Sequence, residues 1–358
     1  MTTYLLAGGG TAGHVNPLLA LAQYIRANDE SAKIITLGTA EGLEAKLVPQ
    51  RGFRLETIDR LPFPRKLNGY ALSFPRRLAA AIKQVEKLIR DEKVDVVIGF
   101  GGYASAPAYE AAKKTKTPLV IHEANALPGM ANKRAASYAN ATGVAFKQAL
   151  KLPKSTLVGM PLRPEIEGLL GADQQREARE HFGLDAGTVT LLVTGGSLGA
   201  KRINETIEAS RVALRAAGIQ VLHIVGERSG LEDISEPFYR RIGYCDRMDL
   251  AIAASDFAVA RAGAATVSEF AAVGLPAIYV PYPVGNGEQA LNAKDVCAEG
   301  GGRIVLDAEF TPDAVSSIVI PLVSSPKVLK QMSQAAMAVG FADGTKRLFE
   351  LVTGVLKG

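Results

Sequence analysis

Cysteine is nearly missing from this chain of 358 residues: Cys245 and Cys297 are the only two, with no CxxC pair and no Cys/His cluster around them. Neither a disulfide scaffold nor a structural zinc site is supported, and a reducing cytoplasm is the simplest compartment. Long apolar runs are absent too. Nothing approaches the roughly 18 apolar residues of a membrane-spanning helix. The opening MTTYLLAGGG has neither the basic start nor the long apolar stretch of a secretion signal. Any membrane contact is therefore expected to be peripheral. After the first glycine cluster the chain reads His14-Val15, where a P-loop needs Lys followed by Ser or Thr, which argues against ATPase or kinase chemistry.

What is present is an ordinary globular balance, 47% apolar and 22% charged residues, in a length that suits two domains. The formal charge is +5, but it is concentrated. Between Arg60 and Arg90 there are eight Lys/Arg and one acid, Glu86, so this stretch alone is +7 and the remainder is −2. A local basic face points to a local anionic partner.

Strand-like apolar runs alternate with helical periodicity. TYLLA stops at GGGTAGH and is followed by PLLALAQYI; KIITLG, DVVIGFGGYAS and PLVIHEAN repeat the rhythm. The pattern breaks near 151–187, where prolines and polar residues collect, and restarts at VTLLVTGGSLGAKRIN. Alternating strands and helices imply parallel βαβ units. Two similar Rossmann-like, doubly wound α/β domains are expected, 1–162 and 163–341. The last helical stretch, 342–358, can pack back on the first domain or stay with the second.

Three glycine turns, GGGTAGH (8–14), GFGGYAS (99–105) and GGSLGA (195–200), and a small-residue helix start, RAGAATVSE (261–269), follow strands. Small residues let backbone approach a ligand, and a helix N-terminus offers unpaired N–H groups and a favourable dipole to phosphate. Four such devices at strand ends point to a diphosphate ligand, because open α/β sheets bind ligands at that edge. Gly8, Gly10 and Gly13 formally fit the dinucleotide fingerprint, so a nicotinamide enzyme is a rival. The acid that fingerprint needs at the end of the second strand is missing, since Glu41 and Glu44 lie beyond it.

GGGTAGHVNP, GFGGYAS, HEAN, VGMPLR, GGSLGAKRIN, RAGAATVSEFAAVGLPAIYVP and EQALNA, in this order over residues 4–300, resemble the MurG family of peptidoglycan N-acetylglucosaminyltransferases. The resemblance implies the GT-B fold with the active site in the interdomain cleft. It also implies UDP-N-acetylglucosamine as donor and inverting transfer to undecaprenyl-diphospho-muramoylpentapeptide (lipid I to lipid II), a step of cell-wall synthesis tied to cell shape and division. Other cell-wall synthesis and division proteins are its implied partners.

Residue by residue, the resemblance assigns Glu269 to the ribose and Ala264, Ala265 and Thr266 to the donor diphosphate, with Val267 and Ser268 also in the donor site. Ser197 would reach the diphosphate or uridine, Arg163 would neutralise phosphate charge, and the Cys245 backbone would read uracil. Gln289 would bond the sugar, with Asn125 reaching it from the other domain, and the turn residues Thr11, Ala12 and Gly13 would also contact the donor. Gly10, His14, Gly101, Gly102, Tyr103 and Ser105 would serve the acceptor. Glu288 stands where the family often has glutamine. A UDP-N-acetylglucosamine 2-epimerase and a non-catalytic sugar-nucleotide-binding subunit are the alternative classes.

Transfer needs a base, alignment and a stabilised leaving diphosphate. No Asp-x-Asp pair occurs to hold a divalent metal, so helix N-termini and Arg163 are the expected substitutes, with no metal and no cofactor. His14 is the leading base, since histidine titrates near neutrality; it can equally position the acceptor diphosphate or brace its loop. His122 could line the cleft, His223 is read as core, and His181 lies in a polar segment. On a helix beginning near Leu78, Leu78, Ile82, Val85 and Ile89 share one face and Arg76, Lys83, Lys87 and Arg90 the other. The loop before it offers Phe63, Arg65, Lys66, Tyr70, Leu72, Phe74 and Arg77 to an anionic membrane surface, at the cytoplasmic side. Nucleic acid is disfavoured, because the aromatic interleaving of a base-stacking surface is thin.

Overall fold

The computed structural model describes residues 1–64, 68–170, 173–196 and 199–357. The chain forms two compact units, Met1–Arg163 with Asp343–Gly358, and Pro164–Ala342.

The first unit is a seven-stranded sheet of β1 (Thr3–Ala7), β2 (Lys33–Thr39), β3 (Arg54–Ile58), β4 (Val96–Gly99), β5 (Leu119–Glu123), β6 (Ala141–Val144) and β7 (Ser155–Leu157). Its order is β3-β2-β1-β4-β5-β6-β7 and every pairing is parallel. The central strands are apolar throughout because both faces are covered. Leu5 and Ala7 point to a core shared with α3 (Gly69–Asp91) and α4 (Ser105–Thr115). Their neighbours Tyr4 and Leu6 point to a second core shared with α1 (Ala12–Asn28) and the C-terminal helix Gly344–Lys357, through Leu348 and Val352. The ring of Phe349 stands 5.4 Å from that of Tyr24 on α1.

The second unit repeats the plan with β8 (Thr190–Thr194), β9 (Gln220–Ile224), β10 (Ile234–Glu236), β11 (Tyr239–Ile242), β12 (Phe257–Ala260), β13 (Ala277–Tyr279) and β14 (Gly302–Ile304), ordered β10-β11-β9-β8-β12-β13-β14. The two doubly wound α/β domains expected from the sequence are thus present. The β10–β11 hairpin, antiparallel and on the sheet edge, was not anticipated.

One helix differs from expectation. It begins at Gly69, not near Leu78, with Asn68 as N-cap accepting a 3.0 Å bond from the Ala71 N–H. Pro75 is accommodated inside it. Tyr70, Leu72 and Phe74 therefore belong to its first turns and not to a loop. Among the described residues no helix is long and apolar enough to cross a membrane.

Candidate active site

In each sheet the chain winds in opposite directions from a central pair of strands, β1 and β4 in the first unit and β8 and β12 in the second. These switch points are where open α/β sheets hold ligands. The four glycine-rich segments are the continuations of these four strands.

In the first unit the turns after β1 and β4 touch. A side-chain carbon on Gly102 would lie 2.2 Å from the Gly9 carbonyl oxygen, and one on Gly101 would lie 3.1 Å from the His14 ring. Gly101 and Gly102 both adopt positive φ, +90° and +85° respectively. The His14 Nδ1 is 3.2 Å from the Gly9 carbonyl oxygen and 3.4 Å from the Thr11 hydroxyl. A carbonyl only accepts, so Nδ1 carries the proton and Nε2 is the basic nitrogen. Thr11 is the N-cap of α1, and Ala12 and Gly13 open its first turn, so their N–H groups have no helical acceptor.

Glu44, at the start of α2 (Glu44–Gln50), reaches back into the first turn. It is 1% exposed and accepts from the Gly10 N–H at 2.7 Å, the Thr39 N–H at 2.8 Å and the Thr39 hydroxyl at 2.9 Å. At the end of β5, the buried Glu123 accepts from the N–H groups of Asn125 (2.8 Å) and Gly129 (3.0 Å) and from Nδ2 of Asn132 (2.9 Å). This carboxylate shapes the loop that presents the half-buried Asn125.

In the second unit the turn after β8 and the helix Ala264–Val273 after β12 border one cavity of 840 Å³. Gly195, Gly196, Gly199, Gly263, Thr266, Gln289 and the cations Lys201, Arg202 and Arg261 line it. The first bond of that helix runs from the Val267 N–H to the Gly263 carbonyl, which leaves the N–H groups of Ala264, Ala265 and Thr266 without helical acceptors. The cavity lies in the size range of small-ligand sites. Arg261 is anchored by Asp307 at 2.6 Å and by the carbonyls of Val280 and Pro281, both at 3.1 Å.

Residues 4–144 match the model of the glycosyltransferase family 28 N-terminal domain and residues 190–348 that of the family 28 C-terminal domain. The UDP-N-acetylglucosamine–N-acetylmuramyl-(pentapeptide) pyrophosphoryl-undecaprenol N-acetylglucosamine transferase of Leifsonia xyli subsp. xyli is 55% identical over 98% of both chains. The enzyme of the same name from Streptomyces coelicolor is 48% identical over 97% of this chain and 96% of its own. The chain belongs to glycosyltransferase family 28. The crystal structure of Acinetobacter baumannii MurG has the same fold, with a TM-score of 0.77 and 24% identity over 99% of this chain and all of that one.

Several expected contacts in this glycosyltransferase need correction. Ser105 is wholly buried, and its hydroxyl is directed at the carbonyls of Gly101 (2.7 Å) and Ala7 (3.0 Å), so it braces the second turn and cannot meet an acceptor. Val267 packs its side chain in the core and spends its N–H inside the helix. His122 does not line an open surface. It is fully buried, bonded to the Gly159 carbonyl at 3.0 Å and pushed down to about 4, chiefly by that burial. His223 is a core residue as expected, bonded to the Tyr239 hydroxyl (2.7 Å) and to Asn204 (3.1 Å). Glu269 is buried in the helix Ala264–Val273. Gln289 spends its oxygen on the Tyr282 N–H at 2.9 Å. Cys245 is buried just past β11, and Arg163 is the last residue of the first unit before Pro164. Ser197, Arg65 and Lys66 lie outside the described residues.

Glu44, Glu123, Lys201, Arg202 and Arg261 were not singled out from sequence. The three cations stand inside quoted motifs, and their charge next to a glycine turn was the available signal. The two acids act through backbone N–H groups, which no spacing in the sequence announces.

Beside the second turn, an apolar cavity of 380 Å³ is lined by Phe63, Phe74, Leu78, Tyr103, Met130 and Tyr138 among others. Phe63 is 67%, Leu72 84% and Met130 73% exposed, and the Arg60 guanidinium lies 5.0 Å over the Tyr103 ring. Ile82, Val85 and Ile89 of α3 are buried, while Arg76, Lys83, Lys87 and Arg90 are exposed. Arg77 is held by Asp59 at 3.3 Å and by the Tyr70 ring at 5.5 Å.

Proposed function

We propose that this glycosyltransferase moves N-acetylglucosamine from UDP-N-acetylglucosamine to the C4 hydroxyl of undecaprenyl-diphospho-muramoylpentapeptide, with inversion at the anomeric carbon, as a peripheral protein on the cytoplasmic face of the cell membrane. The observation that carries this reading is the division of the glycine turns into two sets. One set borders a large cavity lined by Lys201, Arg202 and Arg261 together with the acids Glu205 and Asp307. The other borders a histidine of fixed tautomer beside an apolar, basic surface. The shared name of the relatives supports the identity of the two substrates.

In this mechanism the acceptor O4 attacks C1 of the sugar as the C1–O bond to UDP breaks. The proton of the hydroxyl passes to Nε2 of His14, because Nδ1 is the donor to Gly9. The electron pair of the broken bond goes to the diphosphate. That charge is stabilised by the N–H groups of Ala264, Ala265 and Thr266 together with Lys201, Arg202 and Arg163. Glu269 accepts both ribose hydroxyls, the Cys245 backbone reads uracil, and Gln289 and Asn125 hold the sugar. Gly101, Gly102 and Tyr103 receive the acceptor diphosphate, whereas the Gly10 N–H, expected from the sequence to serve it, is spent on Glu44. Phe63, Leu72, Arg76 and Lys83 meet the membrane.

Release of UDP from UDP-N-acetylglucosamine is measured with and without the lipid-linked muramoyl acceptor. Release that requires the acceptor is expected. Acceptor-independent release, or conversion of the donor to an epimer, would overturn the reading. Turnover is expected to survive a chelator of divalent ions, since the sequence carries no Asp-x-Asp pair; loss on chelation with recovery on adding a divalent ion would contradict that.

A further inference from the structure

The carboxylate of Glu44 and the imidazole of His14 take the two ends of one peptide group. Glu44 Oε2 accepts from the N–H of Gly10 at 2.7 Å, and His14 Nδ1 lies 3.2 Å from the carbonyl oxygen of Gly9. That N–H and that carbonyl belong to the same amide. Among the described residues no peptide is cis, so the N–H and the carbonyl point in opposite directions, and the carboxylate and the imidazole lie on opposite sides of the C–N bond. The carboxylate accepts three hydrogen bonds, two of them from Thr39, and donates none, which is the bonding of a carboxylate and not of an acid.

The fold makes room for this side chain at three places. A carbon added at Gly9 would lie 2.3 Å from Glu44 Oε1, one at Gly38 2.4 Å from its Cγ, and one at Gly42 2.1 Å from its Oε2. Gly38 and Gly42 belong to no phosphate-binding turn, so the glycosyltransfer chemistry alone does not account for them. The Glu44 cradle does.

We infer that Glu44 is a positioning residue for His14, acting through the Gly9–Gly10 peptide. A negative charge at the N–H end of an amide polarises it and makes its carbonyl a stronger acceptor. The Gly9 carbonyl then holds the Nδ1 proton more firmly, fixes the ring and favours the imidazolium that forms when Nε2 takes the acceptor proton. This is the work a carboxylate does when it bonds a catalytic histidine directly, delivered here across one peptide unit. Among the titratable groups around His14 are Glu44 beyond that amide and His122, whose buried ring feels the His14 charge. The inference rests on the reading of His14 as the general base.

The test combines Glu44→Gln and His14→Ala singly and together, in the full chain, with acceptor-dependent UDP release as the readout and UDP binding as the check that the second unit is intact. Glu44→Gln is expected to lower kcat about tenfold, the scale of lost outer partners of a working histidine, with KM for the donor unchanged. The acid limb of its kcat–pH profile is expected to move to lower pH. In the His14→Ala background Glu44→Gln is expected to cost nothing further. Near-full turnover of His14→Ala would remove the base assignment and this inference with it. An impaired His14→Ala protein in which Glu44→Gln still lowers kcat by the same factor would make Glu44 a structural brace only and overturn this inference alone. An unchanged acid limb in Glu44→Gln would do the same.

Discussion

Gly102 lies against Gly9 so closely that a side-chain carbon on it would stand 2.2 Å from the Gly9 carbonyl oxygen. The same oxygen accepts the His14 proton. The two turns of the first unit are therefore one device, and Gly102 sets the place of the carbonyl that sets the place of the histidine. Gly102→Ala adds a carbon where backbone already stands and does so at φ +85°, a conformation that costs a non-glycine residue about 1–2 kcal/mol. We expect kcat to fall at least tenfold with UDP binding in the other unit unaltered. Equal kcat for Gly102→Ala and the parent would show that the first turn tolerates displacement.

The donor half makes a separate prediction. Glu269 is buried beside the helix start whose N–H groups are assigned to the diphosphate. If it accepts both ribose hydroxyls, Glu269→Gln loses at least one charge-assisted bond, each worth about 1.5–3 kcal/mol. KM for UDP-N-acetylglucosamine should rise about tenfold or more while KM for the lipid acceptor holds. A 2′-deoxyuridine donor should discriminate parent from variant less than the natural donor does. Identical discrimination with both donors would sink the ribose assignment.

The architecture was legible because strand, glycine turn and helix recur with a period that few other folds produce, and because buried parallel strands such as TYLLA and VVIG are apolar on both faces. The glycine turns were found for the same reason. Side-chain direction was not legible. Ser105 looks like a phosphate donor at a helix start, yet its hydroxyl turns inward to the Ala7 and Gly101 carbonyls. Glu44 reads as an acid that overshoots the second strand, yet it folds back 34 positions to bond Gly10. Nothing local announces this, since it depends on space left by Gly9, Gly38 and Gly42 together. The early start of α3 was hidden by Pro75, which reads as a breaker, while Asn68 caps the helix upstream of it.

The basic, apolar surface of the first unit predicts vesicle binding that needs both properties. Leu72 is 84% exposed on the first turns of α3, with Arg76 and Lys83 exposed along the same helix. Each basic residue near an anionic surface contributes about 1 kcal/mol, so replacing both by glutamine should weaken partition to phosphatidylserine-containing vesicles about thirtyfold. Added salt should weaken the parent in the same sense. Leu72→Asn should weaken binding at all salt concentrations, because the apolar contact is not screened. Cosedimentation reads both effects, and binding indifferent to salt and to anionic lipid would contradict the assignment.

Two buried histidines make stability depend on pH in a defined direction. Burial, the largest cause for each, holds His122 at about 4 in the first unit and His223 at about 3 in the second, against the ordinary histidine value of 6.5. Both are neutral in the fold, whereas in the unfolded chain both take up a proton as pH drops through 6.5. The unfolded state therefore binds more protons between pH 6.5 and about 4, and stability present above that window is lost as pH falls through it. The slope is about 1.4 kcal/mol per pH unit for each histidine, so moving from pH 6.5 to 5 should cost each unit about 2 kcal/mol. This interval lies above the range where ordinary carboxylates titrate, so the histidines dominate it. Thermal unfolding followed from pH 7.5 to 5 should show falling transitions for both units, and His223→Gln should flatten the dependence of the second unit alone. A midpoint constant across that range would mean that neither imidazole is held neutral by its burial.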